Sequence, residues 1–185
     1  MSEQPVGDLL SLDKGSGARF NQGKPALDLI PLNILAEFHA QNFKDVETIT
    51  NQTLADMLVQ LGDFQIRTAG AGALWAIIAM AGDNWDDCAR VFDFGRKKYA
   101  AWNWSKGMPW SVPIGCIARH IRAMLRGEYI DPESNLPHIG HVFCNLVMLL
   151  VYIETFPEGD DRPPAEHFEG YTTPNGFRTT QTANL

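Results

Sequence analysis

The sequence predicts an all-α protein, a compact helical bundle with an irregular N-terminal segment and an extended C-terminal tail. Apolar residues recur at helical spacing in several segments between residues 33 and 154, as on helices with one buried face. Helix-capping residues and glycines stand at the ends of these segments. No run of residues alternates between polar and apolar as a half-buried strand does. These observations favour a fold built from helices.

The first half of the chain contains three predicted helices. Asn33 is placed to cap a helix that runs to about residue 42, and Asn51 or Thr53 begins a second helix over residues 54–61. Small and apolar residues fill positions 70–81, which predicts a third helix that its glycine weakens. We interpret that segment as a buried helix packed closely on a neighbour, or alternatively as an oligomer contact.

Two further helices follow. Asp83 or Asn84 caps a helix to about residue 101, whose acidic first turn and basic last turn match the helix dipole. Ser111 caps the next helix, over residues 112–126, and Gly127 ends it.

The last predicted helix covers residues 136–154 and includes the longest apolar run, residues 142–153. Asn145 interrupts this run, which is too short to cross a bilayer. The N-terminus lacks the basic-then-apolar pattern of a signal peptide. The three cysteines lie far apart in apolar contexts, as expected of reduced core residues. We therefore expect a cytoplasmic protein with no membrane partner.

Length and composition predict one domain. The 185 residues, of which 45% are hydrophobic, can bury a core of their own. The expected organisation is a flexible leader over residues 1–17, a helical domain over 18–156 and an extended or disordered tail over 157–185. The formal charge of −7 argues against a nonspecific nucleic-acid-binding protein, which would present a basic face. The same charge is compatible with a metal site, because clustered carboxylates need a cation to neutralise them.

Side chains able to do chemistry are most concentrated in residues 126–145, where an acidic turn leads directly into a helix with two histidines. In chain order they are Glu128, Asp131, Glu133, His138 and His141. Carboxylates and imidazoles bind metal ions and act in general acid–base catalysis. The alternatives are helix capping and solubility for the acidic turn, and a purely structural role for the histidines.

Two basic groups are candidates for binding phosphate. In the first, His120 lies between Arg119 and Arg122. A guanidinium group can form two parallel hydrogen bonds to phosphate oxygens. The alternative for this group is a solvated basic face. The second candidate consists of Arg19, Asn21 and Lys24. It lacks the preceding strand and the final Ser or Thr of a P-loop.

Trp102, Trp104 and Trp110 lie close together in the sequence, between two predicted helices. Tryptophans in such a position are more often core and rim residues than platforms on which a nucleobase stacks. Both interpretations stay open at this level.

Three ordered blocks of the sequence resemble one known family. They are RFNQGKPALDLIP, then VFDFGRKKYAAWNWSKGMPW, then RHIRAMLRGEYIDPESNLPHIGHVFCNLVMLL. They resemble the phage-associated family called dATP/dGTP diphosphohydrolase, N-terminal domain. The residues that carry the resemblance are Arg19, Asn21, Gly23, Lys24, Pro25, Phe92, Gly95, Lys97, Lys98, Tyr99, Asn103, Trp104, Arg119, His120, Gly127, Glu128, Asp131, Glu133, His138 and His141. The blocks cover residues 18–31 and 91–154, which makes residues 41–90 an expected insertion.

The resemblance implies cleavage of purine deoxynucleoside triphosphates to monophosphate and pyrophosphate. By analogy with MazG-like pyrophosphohydrolases, it also implies a homo-oligomer that uses Mg²⁺ or Mn²⁺. Such an enzyme of a phage would act on the nucleotide pool in the host cytoplasm. The MazG-like pattern is carboxylate-rich, whereas the corresponding helices here carry Arg119-His120 and a pair of histidines. The metal ligands are therefore expected to differ.

The resemblance assigns expected roles to individual residues. The expected catalytic residues are His120, Glu128 and His138. The expected metal ligands are Glu128, Asp131, His138 and His141. The expected substrate-binding residues are Arg19, Asn21, Lys24, Lys97, Lys98, Tyr99, Asn103, Trp104, Arg119 and Arg122.

Two other classes of function compete with this expectation. An HD-type phosphohydrolase is disfavoured, because it needs an adjacent His-Asp pair and His120 is followed by Ile121. The alternative that remains is a non-catalytic phage protein that binds a nucleotide or a host factor.

Overall fold

The computed structural model describes residues 24–41 and 48–171. The predicted leader, Arg19, Asn21 and residues 172–185 lie outside the described residues. Within the described ranges the chain forms six α-helices and no strand, which confirms the predicted all-α bundle. The helices are α1 (Leu32–Ala40), α2 (Asn51–Gln65), α3 (Ala71–Ala81), α4 (Trp85–Tyr99), α5 (Ser111–Leu125) and α6 (His138–Thr155).

Helix α6 forms the centre of the bundle. It packs against α4, α5 and α3, while α2 packs against α3 and α5. Leu146, Val147 and Leu149 of α6 are fully buried. By length and composition alone α6 is able to cross a membrane, with a mean hydropathy of 1.4, but 61% of it is buried inside the protein. Core helices pass the same test, so this feature is weak evidence for a membrane span.

Most helix boundaries lie close to the predictions, but α2 extends beyond the predicted residues 54–61 at both ends, and several caps differ. Thr50 and Thr53 form a capping box at the start of α2, where the Thr53 N–H donates to the Thr50 hydroxyl at 3.1 Å. The predicted cap at Asn33 is wrong, because α1 begins one residue earlier, after Pro31. The predicted end of α5 at Gly127 is confirmed, since this glycine has a φ of 81°, which favours glycine.

The predicted cap of α5 at Ser111 is also wrong, because Ser111 is the first residue of the helix. Its N–H donates to Oδ1 of Asp161 at 2.8 Å, and its hydroxyl donates to the other oxygen of the same carboxylate. A carboxylate from a distant part of the chain thus caps this helix, where negative charge is favourable.

Residues 157–162 open the predicted extended or disordered tail, and specific contacts hold them on the surface of the bundle. Arg162 donates to the Phe64 carbonyl at 2.7 Å, and its guanidinium lies 4.2 Å from the Phe64 ring centroid and 4.9 Å from that of Trp110. Asp160 forms ion pairs with both Arg162 and Arg67. The polar residues of this segment are ordered by pairing with one another and with the bundle, which composition alone did not reveal.

The expected insertion, residues 41–90, contributes directly to the core. Leu54 and Met57 of α2 and Ile77 and Ile78 of α3 are all at most 1% exposed. These side chains belong to the same apolar cluster as those of α4, α5 and α6. Of the two interpretations of residues 70–81, the structure supports a buried helix packed on its neighbours.

Candidate functional site

The end of α5 and the start of α6 are joined by a loop whose backbone bonds determine where its side chains lie. Gly127 N donates to the Met124 carbonyl at 2.9 Å, and Glu128 N donates to the Ala123 carbonyl at 3.0 Å. This pair of bonds is a Schellman motif, which ends α5 and reverses the chain. The loop therefore returns towards α5 rather than leading away from it.

A second set of backbone bonds closes the loop onto the start of α6. His138 N donates to the Tyr129 carbonyl at 2.9 Å, and Asp131 N donates to the Leu136 carbonyl at 2.8 Å. Asn135, at the tip, has a φ of 58°, a left-handed conformation that asparagine tolerates better than most residues. The side chain of Asp131 is thereby fixed close to the first turn of α6.

Three side chains from these elements converge. The ligand atoms of His120, Asp131 and His138 all lie within 4.8 Å of one another. Nδ1 of His120 and Nδ1 of His138 are 2.7 Å apart, so one ring donates a hydrogen bond to the other. The ring of His141 stacks on that of His120, with centroids 4.4 Å apart. The site thus joins one residue of α5, one of the loop and two of α6.

Ser134 connects Asp131 to His141. Its hydroxyl donates to Oδ2 of Asp131 at 2.8 Å and lies 2.8 Å from Nε2 of His141. Its backbone N–H donates to the same Oδ2 at 2.8 Å. Because Nε2 of His141 is 3.8 Å from Oδ2, the hydroxyl bridges the two groups. Oδ1 of Asp131 accepts neither of the bonds from Ser134 and keeps its lone pairs for another partner.

The surroundings of His120, His141 and Asp131 lower the pKa of each of these side chains. Burial, reinforced by the neighbouring His141 and His138, lowers the pKa of His120 from 6.5 to about 4. Burial also lowers the pKa of His141, against the opposing effect of Asp131. Burial alone would raise the pKa of Asp131, but the hydrogen bonds from Ser134 lower it below its usual value. Near neutral pH, His120 and His141 are neutral beside an ionised carboxylate.

These residues fit a divalent metal ion. Two imidazoles and a carboxylate are donors that such ions accept. His138 is only 4% exposed, and its Nε2 has no hydrogen-bond partner among the described residues. Its other ring nitrogen, Nδ1, lies 2.7 Å from Nδ1 of His120, so the fit to a cation rests on the convergence of these donor atoms with Asp131. His120, Asp131 and His138 are therefore the residues that would hold a cation, with His141 next to them.

Glu128, expected to be both a catalytic residue and a metal ligand, is not part of this cluster. Both of its carboxylate oxygens accept hydrogen bonds from the Arg126 guanidinium, at 3.0 and 3.1 Å, and its side chain is 54% exposed. The Schellman turn places Glu128 beside the last residues of α5, facing solvent. The structure therefore places Glu128 apart from the ligand atoms of His120, Asp131 and His138, and its role in the site stays a prediction.

A pocket of about 440 Å³ opens beside the histidines. His120 and His141 line one part of it, and the segment that follows α4 lines another. Among the expected substrate-binding residues, those that line it are Lys98, Tyr99, Asn103 and Trp104. The volume falls within the range of small-molecule sites.

The other expected substrate-binding residues lie elsewhere. Lys97 pairs with Asp93 at 2.6 Å and, together with Lys24, lines a smaller cavity of about 290 Å³ on the other side of Phe94. Arg119 donates to the Cys116 sulfur at 2.9 Å, and its side chain and that of Arg122 are exposed. Neither arginine lines the 440 Å³ pocket.

Among the tryptophans, the exposed ring is not the one expected to bind substrate. Trp104 is 8% exposed, packs against Phe92 and accepts a hydrogen bond on its backbone carbonyl from the Tyr152 hydroxyl at 2.6 Å. Trp102 is 42% exposed and lines the pocket. Its φ of 59° turns the backbone into the left-handed region at that point. The resemblance assigns substrate binding to Trp104 and not to Trp102, and no signal in the sequence shows which of the two rings is exposed.

Sequence reasoning also missed Ser134 as a site residue. Its distance of three residues from Asp131 is the spacing at which an Asp side chain accepts from a following backbone N–H. That signal predicts the turn, but not the contact with His141.

Comparison with known proteins supports the resemblance. Residues 75–162 match the family described as dATP/dGTP diphosphohydrolase, N-terminal. The predicted family resemblance is confirmed for this segment. The match contains the whole histidine cluster and the residues lining most of the pocket. It begins at residue 75, so part of the expected insertion belongs to the matched segment, whereas the block around Lys24 lies outside it.

One relative with a similar name points the same way. The protein named dATP/dGTP diphosphohydrolase of Salmonella phage PMBT28 is 27% identical over 77 residues. The aligned part is 42% of this chain and 26% of the relative, so it spans about a quarter of that protein's length. No solved structure matches the chain significantly.

Proposed function

We propose that this protein is a metal-dependent nucleotide pyrophosphohydrolase that cleaves purine deoxynucleoside triphosphates, such as dATP or dGTP, to monophosphate and pyrophosphate. The observation that carries the proposal is the position of His120, which belongs to the histidine and carboxylate cluster, and of His141, whose ring stacks on it. Both residues also line a pocket large enough for a nucleotide. The family match and the name of the phage relative support the same substrate class.

The cluster supplies the groups that phosphoanhydride hydrolysis requires. His120, Asp131 and His138 would hold the Mg²⁺ or Mn²⁺ ion. A divalent cation there would offset the charge of the polyphosphate and lower the pKa of an attacking water molecule. Asp131 is prepared for this role because Ser134 fixes one of its oxygens and leaves the other available.

His141 is suited to accept the proton of the attacking water. The Ser134 hydroxyl gives its only hydrogen to the Asp131 carboxylate, so Nε2 of His141 must be the donor in its bond to that hydroxyl. Nδ1 of His141 then carries a lone pair, as a general base requires. The lowered pKa of His141 keeps this ring neutral at physiological pH.

Other residues that line the pocket are suited to binding the nucleoside. The rings of Tyr99 and Trp102 are exposed by 64% and 42% and line the pocket, where they offer stacking surfaces for a base. Asn103 and Asn145 add amide groups able to pair with base edges. We further propose that the enzyme acts as a homo-oligomer on the nucleotide pool of the host cytoplasm.

Product analysis tests the proposal. Purified protein is incubated with each common dNTP and NTP in the presence of Mg²⁺ or Mn²⁺, and the products are resolved as mono- or diphosphates. We expect monophosphate and pyrophosphate from dATP or dGTP, with loss of at least about 100-fold in kcat for Asp131→Asn. Glu128→Gln, a surface carboxylate of the same loop, is the matched control and retains activity.

Absence of pyrophosphate with every nucleotide would contradict the proposal. Calorimetry then separates the competing function, because binding of dGTP without turnover identifies a non-catalytic nucleotide-binding protein.

A further inference from the structure

We propose that the cluster of His120, Asp131 and His138 selects a first-row transition ion, of the Mn²⁺, Co²⁺ or Zn²⁺ class, over Mg²⁺. The role of the ion in catalysis rests on the proposed function, whereas its selectivity follows from the donor atoms themselves. Such a site differs from a pyrophosphohydrolase centre whose metal ligands are all carboxylates.

The donor atoms of the cluster favour a transition ion over Mg²⁺. Two of the three converging ligand atoms are imidazole nitrogens, and one is a carboxylate oxygen. Imidazole suits transition ions, whereas Mg²⁺ demands oxygen ligands in octahedral geometry and gives up its waters reluctantly. Two imidazoles and one carboxylate also leave positions open for water and substrate.

The second argument is that the nearby carboxylates are engaged elsewhere. Glu128 is bound through both oxygens to Arg126, and Glu133 pairs with Lys98 at 2.5 Å. Of the acidic residues in the loop, only Asp131 places a ligand atom within 4.8 Å of those of His120 and His138. An all-oxygen site of the kind that Mg²⁺ prefers is therefore not assembled among the described residues.

The third argument is that the imidazoles are held in place before an ion arrives. His120 is fixed in α5 and His138 in α6, and these two helices pack against each other along the bundle. Their Nδ1 atoms are already 2.7 Å apart. Nitrogens bound to one ion at about 2.1 Å lie about 3 Å apart at a right angle, so binding requires only a small movement.

Direct binding in the absence of nucleotide tests the inference. The full-length protein is stripped with a chelator and titrated separately with MgCl₂, MnCl₂, CoCl₂ and ZnCl₂ by calorimetry, with thermal unfolding as a second readout. We expect Mn²⁺ to bind at least about tenfold more tightly than Mg²⁺, with Co²⁺ and Zn²⁺ tighter still in the usual order of these ions. Co²⁺ should also develop visible absorption bands typical of nitrogen ligation.

Two variants and a control assign the ligands. His120→Gln and Asp131→Asn should each weaken Co²⁺ binding by at least about tenfold and reduce the visible bands. Both residues are only partly buried, so the variants should remain folded, which circular dichroism verifies. Glu128→Gln should leave binding unchanged.

Equal affinity for Mg²⁺ and Co²⁺ would overturn the inference, as would a Glu128→Gln variant that loses binding as Asp131→Asn does. The two proposals fail separately. If the protein binds transition ions selectively but releases no pyrophosphate, only the proposed activity is contradicted. If the protein releases pyrophosphate but binds Mg²⁺ as tightly as Co²⁺, only the proposed selectivity is contradicted.

Discussion

The hydroxyl oxygen of Ser134 lies 2.8 Å from Nε2 of His141 and donates its hydrogen to Asp131 at the same distance. A serine hydroxyl has one hydrogen and two lone pairs, and an ionised carboxylate only accepts. The histidine must therefore donate through Nε2. One small side chain thus sets the tautomer of His141 and the orientation of Asp131 together.

This relationship predicts the effect of changing Ser134. In Ser134→Ala, His141 loses the acceptor that fixes its tautomer, and Asp131 loses the hydroxyl bond while keeping the bond from the backbone N–H. We expect kcat to fall by about 10- to 100-fold, the range for groups that orient a ligand or base. Nitrogen-15 NMR of the ring should show the Nε2–H tautomer in the wild type and a mixture in the variant.

Ser134→Thr keeps the hydroxyl and should retain most of the activity and the wild-type tautomer. An Nδ1–H tautomer in the wild-type protein would contradict the proposed arrangement.

The close packing of Gly140 leads to a second prediction, which concerns the stability and the geometry of the site. It lies between His138 and His141 in α6, and a Cβ there would meet the backbone carbonyl of Asp87 in α4 at 2.8 Å. Gly140→Ala should therefore force α4 and α6 apart, lower the free energy of unfolding by about 1–3 kcal/mol and reduce activity by displacing the histidines. Denaturant unfolding and the pyrophosphate assay measure the two effects.

Gly62→Ala is the matched control, because Gly62 lies inside α2 with open space around its added Cβ. It should stabilise the protein by about 0.5–1 kcal/mol, since alanine favours the helix. A Gly140→Ala protein as stable as the wild type would show that the two helices are not in such close contact.

Trp102 carries a third prediction, which concerns substrate binding. Because its ring is exposed and lines the pocket, Trp102→Ala should raise KM for the nucleotide by about tenfold, as loss of one stacking contact implies, with little change in kcat or stability. Trp102→Phe should recover part of the affinity. Steady-state kinetics with dGTP measure both variants.

Tyr171→Ala provides the control, since Tyr171 is also exposed but does not line the pocket. An unchanged KM in Trp102→Ala would place the base elsewhere.

The sequence predicted the helices and the types of residue in the site better than it predicted which side chains contact one another. Helical periodicity and Gly127 placed the end of α5 and the start of α6 within two residues. The convergence of His120 with His138 depends on how those helices pack, which spacing along the chain does not show. Glu128 lies apart from the histidines and contacts Arg126, because the turn brings these two residues together, which helical spacing does not show.

The ion pairs of Asp160 lead to a prediction about acid stability. The hydrogen bonds from the Arg162 guanidinium, followed by that from Arg67, lower the pKa of Asp160 from 3.8 to about 2. A lowered folded-state pKa means that the ionised group stabilises the fold above the unfolded-state value of 3.8, and that this contribution is lost as the pH falls through about 2.

Asp160→Asn should therefore lower the free energy of unfolding by about 1–2 kcal/mol at pH 7, after allowance for solvent screening, because the ion pairs of Asp160 with Arg67 and Arg162 are lost. The difference from the wild type should shrink steadily below pH 4. Denaturant unfolding between pH 2.5 and 7 measures it, with Glu158→Gln, a nearby exposed carboxylate, as the control. A difference that stays constant across this range would mean that the contribution of Asp160 comes from packing and not from its charge.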